Sequence, residues 1–60
     1  MHALIAKART ASDEQLMEMA MILNGATDKA EMTARAAVTV VLEERLSADE
    51  FDAFFAALDA

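Results

Sequence analysis

The stretch from Ala34 to Leu46, ARAAVTVVLEERL, constrains this chain more than any other. At its centre, Ala36, Ala37, Val38, Val40, Val41 and Leu42 leave Thr39 as the single polar residue. Wound at about 100° per residue, these positions cover most of a helix's circumference. A helix that is apolar nearly all round is a buried one, with neighbours on more than one side. The rest of a 60-residue chain must therefore wrap this rod. Val38 to Val41 is also rich in β-branched residues, which favour strands. Two features keep it helical. Its flanks are strong helix formers, and a lone strand in a small domain has nothing to pair with.

The chain carries no proline and one glycine, Gly25, so helices joined by short connections are expected. A short first helix covers His2 to Arg9, with Leu4, Ile5 and Ala8 as its apolar stripe. Lys7 and Arg9 sit at its C-terminal end, where cations suit the helix dipole. Ser12 opens a second helix, and Gln15 three residues on completes a capping box. That helix runs through Leu16, Met17, Ala20, Met21 and Leu23, and Asn24-Gly25 ends it with glycine as the left-handed cap. Thr27 or Asp28 starts the central rod, which continues to about Leu46. Ser47 and Glu50 form a second capping box, and Leu46 with Phe51 forms a hydrophobic staple. The chain should bend sharply there. Phe51, Phe54, Phe55 and Leu58 then share one face of a fourth helix. The expected fold is an all-α bundle of three main helices plus a short N-terminal one, in one helical domain spanning residues 1–60.

A chain this short buries only about 60% of the surface its unfolded form exposes. Small domains compensate with disulfides, a metal or oligomerisation. There is no cysteine and one histidine, so neither a disulfide nor a closed structural zinc site can be built. Self-association remains, and 57% hydrophobic residues supply the surface for it. Val38, Val40, Val41, Leu42, Phe51 and Phe55 are the expected core or dimer residues, in a homodimer.

The charge is five basic against eleven acidic residues, a net −6. Affinity for nucleic acid comes from neutralising phosphates with Lys and Arg, so direct nucleic-acid binding is not expected. A partner protein with a basic surface is. The charge-free stretch at the centre, Ala36 to Leu42, is far short of a membrane span. The opening MHALIAKART has too short an apolar run for a secretory signal. The chain reads as soluble and cytoplasmic.

No constellation for chemistry stands out. His2 could ligate a metal with the terminal amine, but a frayed terminal residue is the simpler account. Met17 and Met21 share a face, which reads as core packing or an adaptable contact surface, with core the expectation, while Met19 lies off it. Glu43, Glu44, Asp49, Glu50 and Asp52 cluster around the bend and read as solvated caps and faces, since paired carboxylates need a pocket to separate their pKa values. There is no nucleophile–base pair, so no enzyme, cofactor or metal is expected. Helix two, the NGAT turn and helix three have the length of a helix-turn-helix. However, the would-be recognition helix opens Thr27, Asp28, Lys29, Ala30, Glu31, with more acid than base.

The C-terminal stretch VLEERLSADEFDAFFAALDA resembles the toxin-binding tail of ribbon-helix-helix antitoxins whose partners are acetyltransferase toxins. The matching positions are Leu46, Ser47, Phe51, Ala53, Phe54, Ala56, Ala57 and Leu58. The resemblance implies a helix that packs on a partner protein. The basic N-terminal strand such antitoxins use on DNA has no counterpart here. The strings LIAKART, SDEQL and VLEER are also similar to short helical open reading frames of phages and plasmids. That resemblance implies a mobile-element origin and no mechanism.

Three functions follow as expectations. The first is a small acidic protein–protein interaction module, an inhibitor or regulator from a mobile element. It would bind through Phe54 and Leu58 with an acidic rim of Asp49, Glu50 and Asp52. The second is an acidic DNA mimic of the anti-CRISPR or anti-restriction type. The third is a helix-turn-helix-like transcription regulator.

Overall fold

A computed structural model describes residues 2–59. These form four helices and no strand: α1 His2–Ala8, α2 Asp13–Ile22, α3 Lys29–Arg45 and α4 Ala48–Asp59. The β-branched run is helical throughout. Its polar member is satisfied within the helix, because the Thr39 hydroxyl donates to the Arg35 carbonyl at 2.8 Å. Thr33 does the same to Lys29 at 2.9 Å.

Helix starts are set by local side chains. The Ser12 hydroxyl accepts the Gln15 N–H at 3.1 Å, and the Gln15 amide oxygen accepts the Ser12 N–H at 2.9 Å. Asp28 caps α3 by accepting the Glu31 N–H at 3.3 Å. Ser47 and Glu50 make the second box, at 3.2 and 3.1 Å. Each box covers two backbone donors that a helix start leaves free. Between α3 and α4 only Leu46 and Ser47 intervene, with Leu46 extended at φ −90, ψ 151. Leu46 and Phe51 flank this corner, and both pack on the core and line one cleft. Ser47→Ala should cost about 1 kcal/mol. It should show as a lower urea midpoint, with the N-terminal turn of α4 fraying first; an unchanged midpoint would mean the cap does not hold this corner.

The end of α2 differs in detail from expectation. Leu23 is the C-cap in right-handed geometry. Asn24 donates to the Met21 carbonyl and Ala26 to Leu23. Gly25 carries the positive φ, +79, one position beyond a simple left-handed cap. α1 stops at Ala8, with Arg9 donating back to Ile5 in a closing turn.

α3 packs on each of the other three helices, most extensively on α2 and α1 and least on α4. Seventeen residues at 1.5 Å per residue make it about 25 Å long, matching the longest dimension of the molecule, 27 Å. Leu16 and Ala20 of α2, Ala8 of α1, and Val38, Val41 and Leu42 of α3 form the core cluster, with Ala37 buried beside it. No buried side-chain nitrogen or oxygen among the described residues lacks a partner.

Of the apolar expectations, the core-or-dimer reading of Val40 is narrowed and the core reading of Met21 needs correction. Val40 is 39% exposed and so lies outside the core of one chain. The rod has three neighbours, but the meridian through Val40 lies between them. Met21 is 59% exposed, although Met17 packs partly on the core. The buried line of α2 runs through Leu16 and Ala20, and Met21 lies about 100° round from Ala20.

Candidate interaction surface

α4 is the helix with an apolar face that the fold leaves incompletely covered. None of its residues is buried. Phe51, Phe54, Phe55 and Leu58 all sit half-buried against the core cluster. Phe55 is the centre of an aromatic trio. Its ring lies 4.7 Å from Phe51 in a tilted arrangement and 5.1 Å from Phe54 edge-to-face. Both geometries suit the quadrupoles of the rings. Beyond its packing, α4 is tied down near its end by one long-range hydrogen bond, from the Asn24 amide to the Leu58 carbonyl at 3.2 Å.

The two edges of the α4 stripe differ. On one edge, Phe51 and Phe55 line an open cleft with Met32, Ala36, Thr39 and Val40 of α3. Arg35 stands at this cleft's rim. A second, smaller cleft continues past Phe51 to Leu46, Glu43, Ala48 and Asp52. On the other edge lie Phe54 and, near the Asn24 contact, Leu58. The residues expected as core or dimer contacts thus divide: Val38, Val41 and Leu42 are buried, whereas Val40, Phe51 and Phe55 border open surface.

The acidic residues also divide. Asp49 and Asp52 are exposed and form no hydrogen bond or ion pair among the described side chains. Glu50 is occupied as a cap. The Ser47 backbone N–H, and then its hydroxyl, hold the Glu50 carboxyl below the usual glutamate range. Glu44 is held by Arg9 in a two-pronged pair, Nε to Oε1 at 3.2 Å and Nη2 to Oε2 at 2.7 Å. That hydrogen-bonded pair lowers the Glu44 carboxyl and raises Arg9. Glu43, one residue earlier and about 100° away, faces the second cleft instead. Neighbouring glutamates therefore do different jobs: Glu44 is tied to Arg9, and Glu43 shares an open cleft with Asp52.

Arg45 makes the remaining long-range polar contacts. Its guanidinium donates to the backbone carbonyls of Arg9 and Ala11 and to Asp13 Oδ1 at 3.1 Å. The corner between α1 and α2 is thereby fastened to the last turn of α3.

No group of three or more potential metal ligands occurs among the described residues. The terminal amine that could join His2 lies outside them. In the α2–turn–α3 unit, Asp28 caps the second helix and Glu31 lies in its first turn. No described helix is long and apolar enough to cross a membrane. No protein-family model, curated protein or solved structure matches this chain.

The open stripe of α3 was not singled out from sequence as a surface. Its signal was present: Met32, Ala36, Thr39 and Glu43 follow one another by four, three and four, the spacing of a single helical seam.

Proposed function

We propose that this chain is a small acidic interaction module that self-associates and binds a protein with a basic surface, acting as an inhibitor or regulator carried by a mobile element. The observation that carries this reading is α4. It is an amphipathic helix with four large apolar side chains, none fully buried, and it bears the free carboxylates Asp49 and Asp52. Amphipathic helices recognise partners through such i, i+3, i+4, i+7 anchors, and aromatic anchors are enriched among binding hot spots. Free carboxylates beside them would steer and orient a basic partner. The resemblance of this segment to a toxin-binding antitoxin tail supports the same helix, and the phage and plasmid resemblance supports the origin.

The test is affinity capture from the host, followed by titration of the purified partner. Asp49→Lys/Asp52→Lys should weaken binding by about tenfold or more, mostly through slower association. Phe54→Ala should weaken it by a similar factor through faster dissociation. Glu50 is left intact because it caps α4. Binding that collapses with salt yet ignores Phe54→Ala would favour the DNA mimic instead. Binding indifferent to both changes would remove α4 as the working element. The first turn of α3, with Asp28 and Glu31, argues against the helix-turn-helix regulator on charge.

A further inference from the structure

We propose that the open α3/α4 face seats a second copy of this chain in an antiparallel two-fold arrangement, with Thr39 and Val40 at the axis and Arg35 of each protomer paired with Glu43 of the other. This rests on the self-association proposed above but not on the basic partner.

Three observations carry it. The first is shape. Along α3 the uncovered stripe is Met32, Ala36, Thr39 and Glu43, with Val40 beside it. Ala36 and Thr39 are small, so a second helix can approach closely at the middle, while Met32, Val40, Phe51 and Phe55 supply apolar flanks. Met32 and Val40 are 52% and 39% exposed in one chain.

The second is polarity. The face has a cation at one end and carboxylates at the other. Arg35 rims the first cleft and lines it with no carboxylate, whereas Glu43 and Asp52 line the second. Neither Arg35 nor Glu43 forms an ion pair among the described residues. Eight residues separate them, about 12 Å along the helix. Thr39 is midway. Turning a second copy about an axis at Thr39 places each Arg35 within a helical turn of the other chain's Glu43. A parallel arrangement would set like charges against each other. A two-fold interface needs this self-complementarity, and a basic partner in the same cleft would meet Arg35.

The third is the state of the polar group at the centre. The Thr39 hydroxyl already donates to the Arg35 carbonyl at 2.8 Å. Excluding water from the axis therefore strands no donor there.

The experiment is a charge-reversal cycle on the full chain, read by sedimentation velocity across a concentration series, with far-UV circular dichroism to verify helicity. The parent chain should show a concentration-dependent dimer. Arg35→Glu and Glu43→Arg should each weaken it by about tenfold. The double variant R35E/E43R should recover most of that loss, because the pair is rebuilt with its signs exchanged. Val40→Asp should abolish the dimer; should that chain fail to fold, the cycle still decides, since Arg35 and Glu43 lie outside the core. A parent chain that dimerises while the double variant stays as weak as its singles would overturn this arrangement and leave self-association standing. A parent chain that stays monomeric at every concentration would overturn both.

Discussion

Leu42→Ala should remove a large share of this chain's stability. Leu42 is 0% exposed and belongs to the single cluster that joins α1, α2 and α3. Truncating a buried leucine costs about 2–5 kcal/mol, the transfer of the lost atoms plus the cavity they leave. A 60-residue chain at typical stability per residue has about 3–9 kcal/mol in total. One substitution therefore removes a large share of it. The rod cannot relax into the gap, because Val38 and Val41 on the same side are themselves buried. Urea unfolding followed by circular dichroism gives the measurement, and Val40→Ala at low concentration is its control. Val40 lies on the same helix but is exposed, so its truncation should stay within about 0.5 kcal/mol. Equal costs at the two positions would mean the rod is buried evenly and the open face described above does not exist.

Phe55→Ala should cost about 2–3 kcal/mol and should detach α4 while α1 to α3 stay folded. A fully buried phenylalanine costs about 3–5 kcal/mol to truncate, and Phe55 is only half-buried. Against that, it touches both other rings, and each aromatic pair contributes about 0.5–1.5 kcal/mol beyond its area. Phe51 and Phe54 each touch one ring of the trio, so each should cost less than Phe55. Their losses should not add, because the three rings share contacts. Amide chemical shifts would show the detachment as random-coil values confined to residues 48–59. A uniform collapse of all four helices would instead make α4 integral to the core.

The features legible in the sequence are the local ones. Both capping boxes follow from a serine and an amide or carboxylate three residues on, and both form as read. The helical state of Val38 to Val41 was also accessible, since flanking residues and the lack of a pairing strand outweigh a modest β preference. Periodicity shows which residues share a meridian, but not which meridian a neighbour covers. That is why Met21 was placed inward and lies outward, and why Val40 could be read only as a core or a dimer residue. The division among carboxylates was hidden for the same reason. Glu44 meets Arg9 across 35 positions, and nothing local to Glu43-Glu44 says which of the two will do so. Arg45 ends α3; that it grips carbonyls 34 and 36 residues away is a property of the packed chain.

That α4 contains no fully buried residue bears on how the molecule fluctuates. Structural units open with free energies set by what they bury. Amides in the middle of α3 can exchange with solvent only when the whole core comes apart. Those of α4 have a cheaper route, in which the helix lifts off after its aromatic contacts and the Asn24 hydrogen bond let go. Isotope exchange should therefore divide the chain at Leu46 into a slow body and a fast arm. Any binder that holds the arm down closes that route, so it would slow exchange in α4 most and mark its own footprint in the rates.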